Sequence, residues 1–106
     1  EESSEAVRSR VNAARALQRA RYAAEGLYAN AQLDSKRIRI YCALGPEANR
    51  VLMMATQRYR LTARAHFRVL RVARTLADLE GAGEIQESHI AEALRYRMLD
   101  AKYWGG

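Results

Sequence analysis

The sequence contains few residues that interrupt or crosslink helices. Of its 106 residues, one is proline, one is cysteine and one is phenylalanine, and the β-branched residues are too scattered to predict strands. The single thiol, Cys42, cannot form an internal disulfide, and its apolar helical surroundings predict a buried, reduced state. Because 49% of the residues are apolar and many of these are alanine, the composition predicts one all-α domain, a compact bundle of closely packed helices.

Long apolar segments are absent as well. No apolar run approaches the roughly 20 residues that cross a bilayer, and no signal peptide is visible. The first helix is basic and amphipathic, but its apolar side consists mostly of small residues, so membrane binding is not expected. Together with a reduced thiol, these features predict a cytoplasmic protein. The chain has no initiator methionine and is interpreted as a piece of a longer protein.

The sequence also lacks the residue groupings of common catalytic and metal sites. His66 and His89 lie 23 residues apart, and no cysteine or carboxylate stands near them at a ligand spacing, so no metal site is expected. His89 falls in the first turn of the last helix and is expected at the surface or as a capping residue. No Ser-His-Asp, Cys-His or paired-carboxylate arrangement supports a catalytic role. The glutamates in the second half are expected to be solvated.

Apolar periodicity and capping residues predict five helices. The first spans about residues 4 to 22, with Ser3 or Ser4 as its cap, and residues 25 to 32 form the main loop. Helix two begins at the cap Asp34 and ends near Leu44, and Pro46 takes the first position of helix three. Thr62 caps helix four, which continues to residue 80, and helix five follows residue 86. Residues 3 to 100 are assigned to the bundle and residues 101 to 106, which include Trp104, to a tail.

The fourth helix carries most of the positive charge that has no neighbouring acid. The whole chain has 18 basic and 12 acidic residues and a net charge of +6, and residues 58 to 74 contain six arginines and no acid. On a helical wheel with about 100° per residue, Arg64, Arg68, Arg71 and Arg74 share one arc with Thr75 and Asp78, opposite the apolar arc. Phe67 lies at the border of the two arcs and is expected to be partly exposed.

Three interpretations of this arginine row remain open from the residues alone. It can be a solvated helix face, a surface that binds nucleic-acid phosphates, or a contact with one bound anion. The planar guanidinium suits phosphate. Arg64 stands in the first turn, where a cation opposes the helix dipole, so its position against local preference indicates a functional role. The six tyrosines are expected in the core or at its rim.

Four segments together resemble a known family. They are "SSEAVRSRVNAARALQ", "LDSKRIRIYCALGPEANRVLMMA", "LTARAHFRVLRVARTLADLEG" and "IQESHIAEALRYRMLD", and their order and spacing are similar to those of the C-terminal helical domain of magnesium-chelatase-like AAA+ ATPases, a group that includes ComM-like proteins. The resemblance covers nearly all of residues 3 to 100. It departs from the family at His66 and Phe67, where the family tends to have tyrosine and then histidine.

The resemblance implies a lid that closes over ATP and magnesium held by a separate α/β domain. Arg64 matches the sensor-2 arginine, which approaches the γ-phosphate. The implied partners are that α/β domain and neighbouring subunits of a ring. Phe67 is expected to contact the α/β domain. The ring would act in DNA remodelling or in metal insertion.

The chain has no GxxxxGK[ST] loop and no strand-borne acidic pair for magnesium, so it is not expected to hydrolyse ATP alone. The alternative is a stand-alone basic module that binds DNA phosphates through Arg64, Arg68, Arg71 and Arg74. In isolation the chain is expected to be monomeric.

Overall fold

The computed structural model describes the backbone of residues 2 to 104 and the side chains of residues 2 to 97. In this part of the chain it contains five α-helices and no strand, which confirms the all-α prediction. The helices are α1 (Ser4–Tyr22), α2 (Ser35–Tyr41), α3 (Pro46–Tyr59), α4 (Ala63–Glu80) and α5 (Glu87–Trp104). Helix α5 thus continues through residues 101 to 104 of the segment assigned to a tail, and residues 105 and 106, with the side chain of Trp104, lie outside the described part.

The predicted helix starts are confirmed by capping hydrogen bonds. The hydroxyl of Ser3 accepts from the backbone N–H of Ala6 at 3.1 Å, and the carboxylate of Asp34 accepts from the N–H of Arg37 at 2.9 Å. Each bond satisfies one of the N–H groups that the first turn of a helix leaves without a partner. Pro46 opens α3 as expected, whereas α2 ends at Tyr41, three residues before the predicted end.

Helix α4 is the centre of the bundle and packs on α1 and α5, while α3 packs on α5. The core lies between these helices and consists mainly of aliphatic side chains, with Ile38, Leu52, Val69 and Ile90 almost fully buried. An isolated parallel bridge between Leu44 and Ile85 joins the turn before α3 to the turn before α5. The cysteine is buried and free as predicted, and burial raises the pKa of its thiol to about 11.

The inner side of α1 includes a polar side chain. Ala14 and Gln18 are buried, together with the ring of Tyr22, whereas Val7 and Leu17 are about two-fifths exposed. The amide of Gln18 faces inwards because its side-chain oxygen accepts from the backbone N–H of Asn30 at 3.1 Å. The hydrogen bond with Asn30 therefore accounts for the burial of Gln18, while its neighbour Leu17 is exposed.

A buried ion-pair network joins α1, α4 and the segment between α1 and α2. Arg21 donates two hydrogen bonds to the carboxylate of Asp78, at 2.6 and 3.0 Å. The amide of Asn30 donates to Asp78 and to the hydroxyl of Thr75, both at 3.0 Å. Arg74 lies 3.2 Å from Asp78 and also donates to backbone carbonyls in the turn that follows α4. One carboxylate thus holds two cations and one amide.

This network corrects the sequence-based placement of two α4 residues. Arg74 was expected on a phosphate-facing or DNA-facing surface with Asp78 beside it, yet Arg74 is 5% exposed and Asp78 is 2% exposed. The segment predicted to be the main loop explains this burial. It contains two short 3-10 turns, Ala23–Glu25 and Asn30–Gln32. The second turn and α1 cover the carboxyl-terminal half of the polar arc of α4, so Arg74 is not available to a phosphate.

The pKa of the Asp78 carboxyl is lower than the usual value for an aspartate. Burial by itself would raise this pKa, but hydrogen bonds from Arg21 and Asn30 outweigh burial and hold it below its usual value. A group whose pKa is lower in the folded state stabilises the fold above its unfolded pKa, and this stabilisation is lost as the pH falls. The network therefore loses strength in acid.

We expect Asp78→Asn to lower the free energy of unfolding by about 3–5 kcal/mol, because the change leaves two partly or fully buried guanidinium groups without their carboxylate. The variant should also show a weaker loss of stability below about pH 4, where Asp78 takes up a proton in the unfolded chain. Urea unfolding followed by circular dichroism between acid and neutral pH measures both effects.

Glu84→Gln is the matched control, because it removes one exposed carboxylate and should change stability by less than about 0.5 kcal/mol. Equal stabilities of the two variants would show that the Asp78 network does not stabilise the bundle.

Candidate functional site

The turn between α3 and α4 places Arg64. Helix α3 ends at Tyr59, and the next residue, Arg60, caps it in a left-handed conformation with φ 51°. The hydroxyl of Thr62 then accepts from the N–H of Ala65 at 3.1 Å and caps α4 as predicted. Arg64 lies exposed in the first turn, where its charge opposes the helix dipole. Its position at the helix start is thus as expected, and its role stays a prediction.

Arg64 lies beside a cavity of about 590 Å³ on the outer side of α4. Arg68 and Arg71 also line this cavity, so the structure brings together three of the four arginines of the predicted row. The remaining lining residues are uncharged and come from α4, α5 and the turn before α2, and they are Ala31, Val72, Thr75, Leu76 and Tyr96. With three guanidinium groups and no carboxylate among the described residues that line it, the cavity can accept an anion.

The three arginines of the cavity differ in their surroundings. Arg64 and Arg68 are exposed, whereas Arg71 is half-buried and donates to the backbone carbonyl of Leu33 at 3.3 Å. This bond holds the side chain of Arg71 towards the turn before α2. The two arginines nearest the start of α4 are therefore the more exposed cations of the cavity.

Tyr96 is a cavity residue that the sequence did not indicate. It was assigned with the other tyrosines to the core or its rim, and its side chain is 48% exposed. Its hydroxyl donates to Glu92, one turn earlier in α5, at 3.2 Å. Periodicity within one helix carries no information on which residue of a second helix lies opposite it, so no local signal could connect Tyr96 with α4. Tyr22, by contrast, is fully buried, and the side chain of Tyr103 lies outside the described residues.

His66 and Phe67 border a second cavity, of about 390 Å³, at the other side of the α4 start. Phe67 is half-buried and packs against the core, with its ring edge-to-face with that of His66 at 5.8 Å between centroids. His66 Nδ1 lies 3.3 Å from the hydroxyl of Thr56, and burial lowers the pKa of His66. Phe67 is thus partly exposed, as predicted, and its contact with another domain stays a prediction.

Of the two positions predicted for His89, the surface or a helix cap, the structure shows the cap. The side chain is 3% exposed, and its Nδ1 accepts from the backbone N–H of Gln86 at 2.8 Å at the start of α5. Its Nε2 lies 3.1 Å from a carboxylate oxygen of Glu80. His89 therefore joins the end of α4 to the start of α5, and Glu80 is exposed as predicted while it pairs with His89.

The chemistry of these residues fits a phosphate better than a metal ion. Among the described side chains, no group of three or more histidines, cysteines or carboxylates is placed to hold a metal. Magnesium requires oxygen ligands such as carboxylates. The described residues that line the arginine-lined cavity include no carboxylate. A triphosphate requires cations and N–H donors, which Arg64 and the start of α4 supply. Within the described part of the chain, no helix is both long enough and apolar enough to cross a bilayer.

We expect Arg64→Gln to raise the free energy of unfolding of the 106-residue chain by about 0.3–1 kcal/mol, because it removes a cation from the positive end of α4. Urea unfolding at low ionic strength measures the change. Arg15→Gln is the control, since Arg15 is exposed in the middle of α1 and the dipole effect is confined to the first turn. A lower stability of Arg64→Gln than of the control would contradict the dipole argument.

Comparison with known proteins identifies the family. The model of the family described as magnesium chelatase, subunit ChlI C-terminal, matches residues 1–97. The competence protein ComM of Haemophilus influenzae is 43% identical over 70 residues, which are 66% of this chain and 14% of that protein. The uncharacterized protein YifB of Escherichia coli is 40% identical over 99 residues, which are 93% of this chain and 19% of that protein.

The chain spans less than a fifth of the length of these curated relatives. No solved structure gives a significant match. Because the family model covers nearly the whole chain and the relatives match in the same region, this chain belongs to the family of the C-terminal domain of the magnesium chelatase subunit ChlI.

Proposed function

We propose that this domain is the lid of a magnesium-chelatase-like AAA+ ATPase and that Arg64 is its sensor-2 arginine. In this proposal, ATP and magnesium are held by a separate α/β domain of the parent protein, and the lid contacts the γ-phosphate. The observation that carries the proposal is the position of Arg64. It lies exposed in the first turn of α4, beside a cavity lined by two further arginines, in a chain of this family.

The chemistry of the proposed contact is electrostatic. A guanidinium donates hydrogen bonds to phosphate oxygens in a fixed planar geometry, and the free N–H groups at the start of a helix add positive potential. Negative charge at that end would also relieve the unfavourable position of Arg64 against the helix dipole. The same arginine that slightly destabilises the free domain would therefore stabilise the complex with the triphosphate.

The proposed consequence of this contact is coupling between the nucleotide and the parent assembly. A lid that binds ATP through Arg64 favours a closed arrangement, and hydrolysis removes the phosphate that supports it. In a ring, this change would move neighbouring subunits. We propose DNA remodelling as the work of the ring, because ComM is named as a competence protein, and the cytoplasm as its place, because Cys42 is a free thiol. Phe67 is the proposed contact with the α/β domain.

We expect Arg64→Ala in the full-length parent protein to slow ATP hydrolysis about 10- to 1000-fold, because it removes one charge-assisted contact to the reacting phosphate. Steady-state hydrolysis over a range of ATP concentrations measures the effect on kcat and KM. Arg95→Ala is the matched control, since Arg95 is an exposed arginine of α5 and does not line the cavity of Arg64. Unchanged turnover of Arg64→Ala would contradict the sensor-2 assignment, as would the absence of a phosphate-binding loop in the parent reading frame.

A second candidate function is binding of nucleic-acid phosphates by the same surface. The observation that favours it is the positive cavity together with the net charge of +6. Arg64, Arg68 and Arg71 would provide the contacts, and the buried Arg74 would not. Binding of this kind depends on the release of counterions and therefore weakens steeply with salt.

If the second function is present, a labelled single-stranded oligonucleotide should bind this chain at low salt and should bind the double variant Arg68→Ala and Arg71→Ala less tightly. The slope of log K against log salt should become shallower by about 0.7 for each phosphate contact that is lost. Fluorescence anisotropy measures both quantities. The control is the double variant Arg8→Ala and Arg15→Ala on α1, which removes the same charge from exposed positions elsewhere. Absence of any anisotropy change at low salt would exclude this function.

A further inference from the structure

Helix α3 has two apolar sides, and one of them borders a groove. The first side faces the core through Ala48, Leu52 and Ala55, which are buried. The second side borders a cavity of about 630 Å³ between α3 and α5, which we call the α3–α5 groove. Five residues of α3 at the spacing i, i+3, i+4, i+7 and i+8 line it, and they are Val51, Met54, Ala55, Arg58 and Tyr59. Gln57 and, from α5, Leu94 complete the described lining.

Large apolar side chains in the α3–α5 groove are exposed. Met54 is 64% exposed and Tyr59 is 45% exposed. Exposed apolar side chains that form one patch indicate an interaction surface, whereas single ones do not. Methionine also adapts its shape to a partner, because its side chain is unbranched and flexible. The groove therefore has the composition of a protein-binding surface.

Arg58 gives one end of the groove a positive charge. Its guanidinium lies over the ring of Tyr59, 5.7 Å from the ring centroid, and none of the described lining residues is acidic. Among the described residues, no carboxylate forms an ion pair with Arg58. An aspartate or glutamate of a partner would therefore complement this end of the groove. A second copy of this chain is disfavoured, because each copy has a net charge of +6.

The shape of the groove fits a helix. The lining stripe of α3 extends from residue 51 to residue 59, which is about 12 Å along the helix axis, or two turns. Side chains of a third helix can enter the space between two packed helices. The described part of the chain contains no strand with which an extended segment could pair.

We propose that the α3–α5 groove binds an amphipathic helix of the parent protein that lies outside this chain. This helix has apolar residues three and four positions apart, which fill the groove, and an aspartate or glutamate that pairs with Arg58. The chain spans less than a fifth of the length of its curated relatives, so a long stretch of polypeptide can supply the helix. A helix on the same polypeptide has a high effective concentration and occupies the groove without tight intrinsic affinity.

Two neighbouring methionines of the native sequence report on the state of the groove. Met54 lines the groove, whereas Met53 does not line it and is 45% exposed. Hydrogen peroxide converts an accessible methionine to its sulfoxide. Tandem mass spectrometry of the peptide that contains both residues gives the two oxidation rates. In an empty groove Met54 should react at least as fast as Met53, because Met54 is the more exposed side chain.

We expect the opposite order in the full-length parent protein. Met54 should react more slowly than Met53 by about tenfold, as for a groove that is occupied about nine-tenths of the time. This comparison uses the wild-type protein and therefore depends on no variant.

The Arg58→Glu variant of the parent tests the proposed ion pair, because it places a like charge opposite the carboxylate of the bound helix. We expect it to raise the oxidation rate of Met54 about tenfold, to that of Met53 or above, as the groove empties. Arg15→Glu is the matched control, since it reverses the charge at an exposed position of α1 that does not line the groove. It should leave the ratio of the two rates unchanged, and circular dichroism verifies the fold of both variants.

Three results would overturn the inference. Oxidation of Met54 at least as fast as that of Met53 in the wild-type parent would show that the groove is empty. Protection of Met54 that is lost on dilution of the parent would show that a separate molecule binds there. Protection that Arg58→Glu does not relieve would show that no acidic residue of the partner pairs with Arg58. None of these results depends on Arg64, so the proposed sensor-2 function is tested separately by its own variant.

Discussion

The carboxylate of Asp78 lies inside the bundle between the guanidinium groups of Arg21 and Arg74, and the amide of Asn30 completes its hydrogen bonds. A buried charge is costly unless it is paired and hydrogen-bonded, so these partners must be in place together. They come from α1, from the segment before α2 and from α4 itself. Asp78 therefore fixes the rotation of α4 about its axis relative to α1, and the direction in which Arg64 and Arg68 point follows from it.

Helix α4 presents the same polar arc to two different environments along its length. Its carboxyl-terminal half, with Arg74 and Asp78, is covered by α1 and the turn Asn30–Gln32. Its amino-terminal half, with Arg64 and Arg68, is exposed beside the cavity. Residues 64 and 74 are about 15 Å apart along the axis. One half of the helix thus anchors the bundle, and the other half contributes Arg64 and Arg68 to the wall of the cavity.

The limits of sequence-based prediction follow from this division. Capping residues act on their own backbone, so Ser3, Asp34 and Thr62 could be recognised as helix starts from the sequence. Periodicity gives the angular position of a residue around a helix. It does not show which other segment packs over that position, so the burial of Arg74 was not predicted. Asn30 was missed for the same reason, since its partners Thr75 and Asp78 lie more than forty residues further along the chain.

The anchored half of α4 also bears on how a lid of this kind can respond to nucleotide. Because the Asp78 network joins α4 to α1, we expect these two elements to move together. Only a contact that differs between two states can shift an equilibrium between them. Under the proposed sensor-2 assignment, Arg64 contacts the phosphate that is lost on hydrolysis, so the difference in free energy that would move the lid comes from this contact.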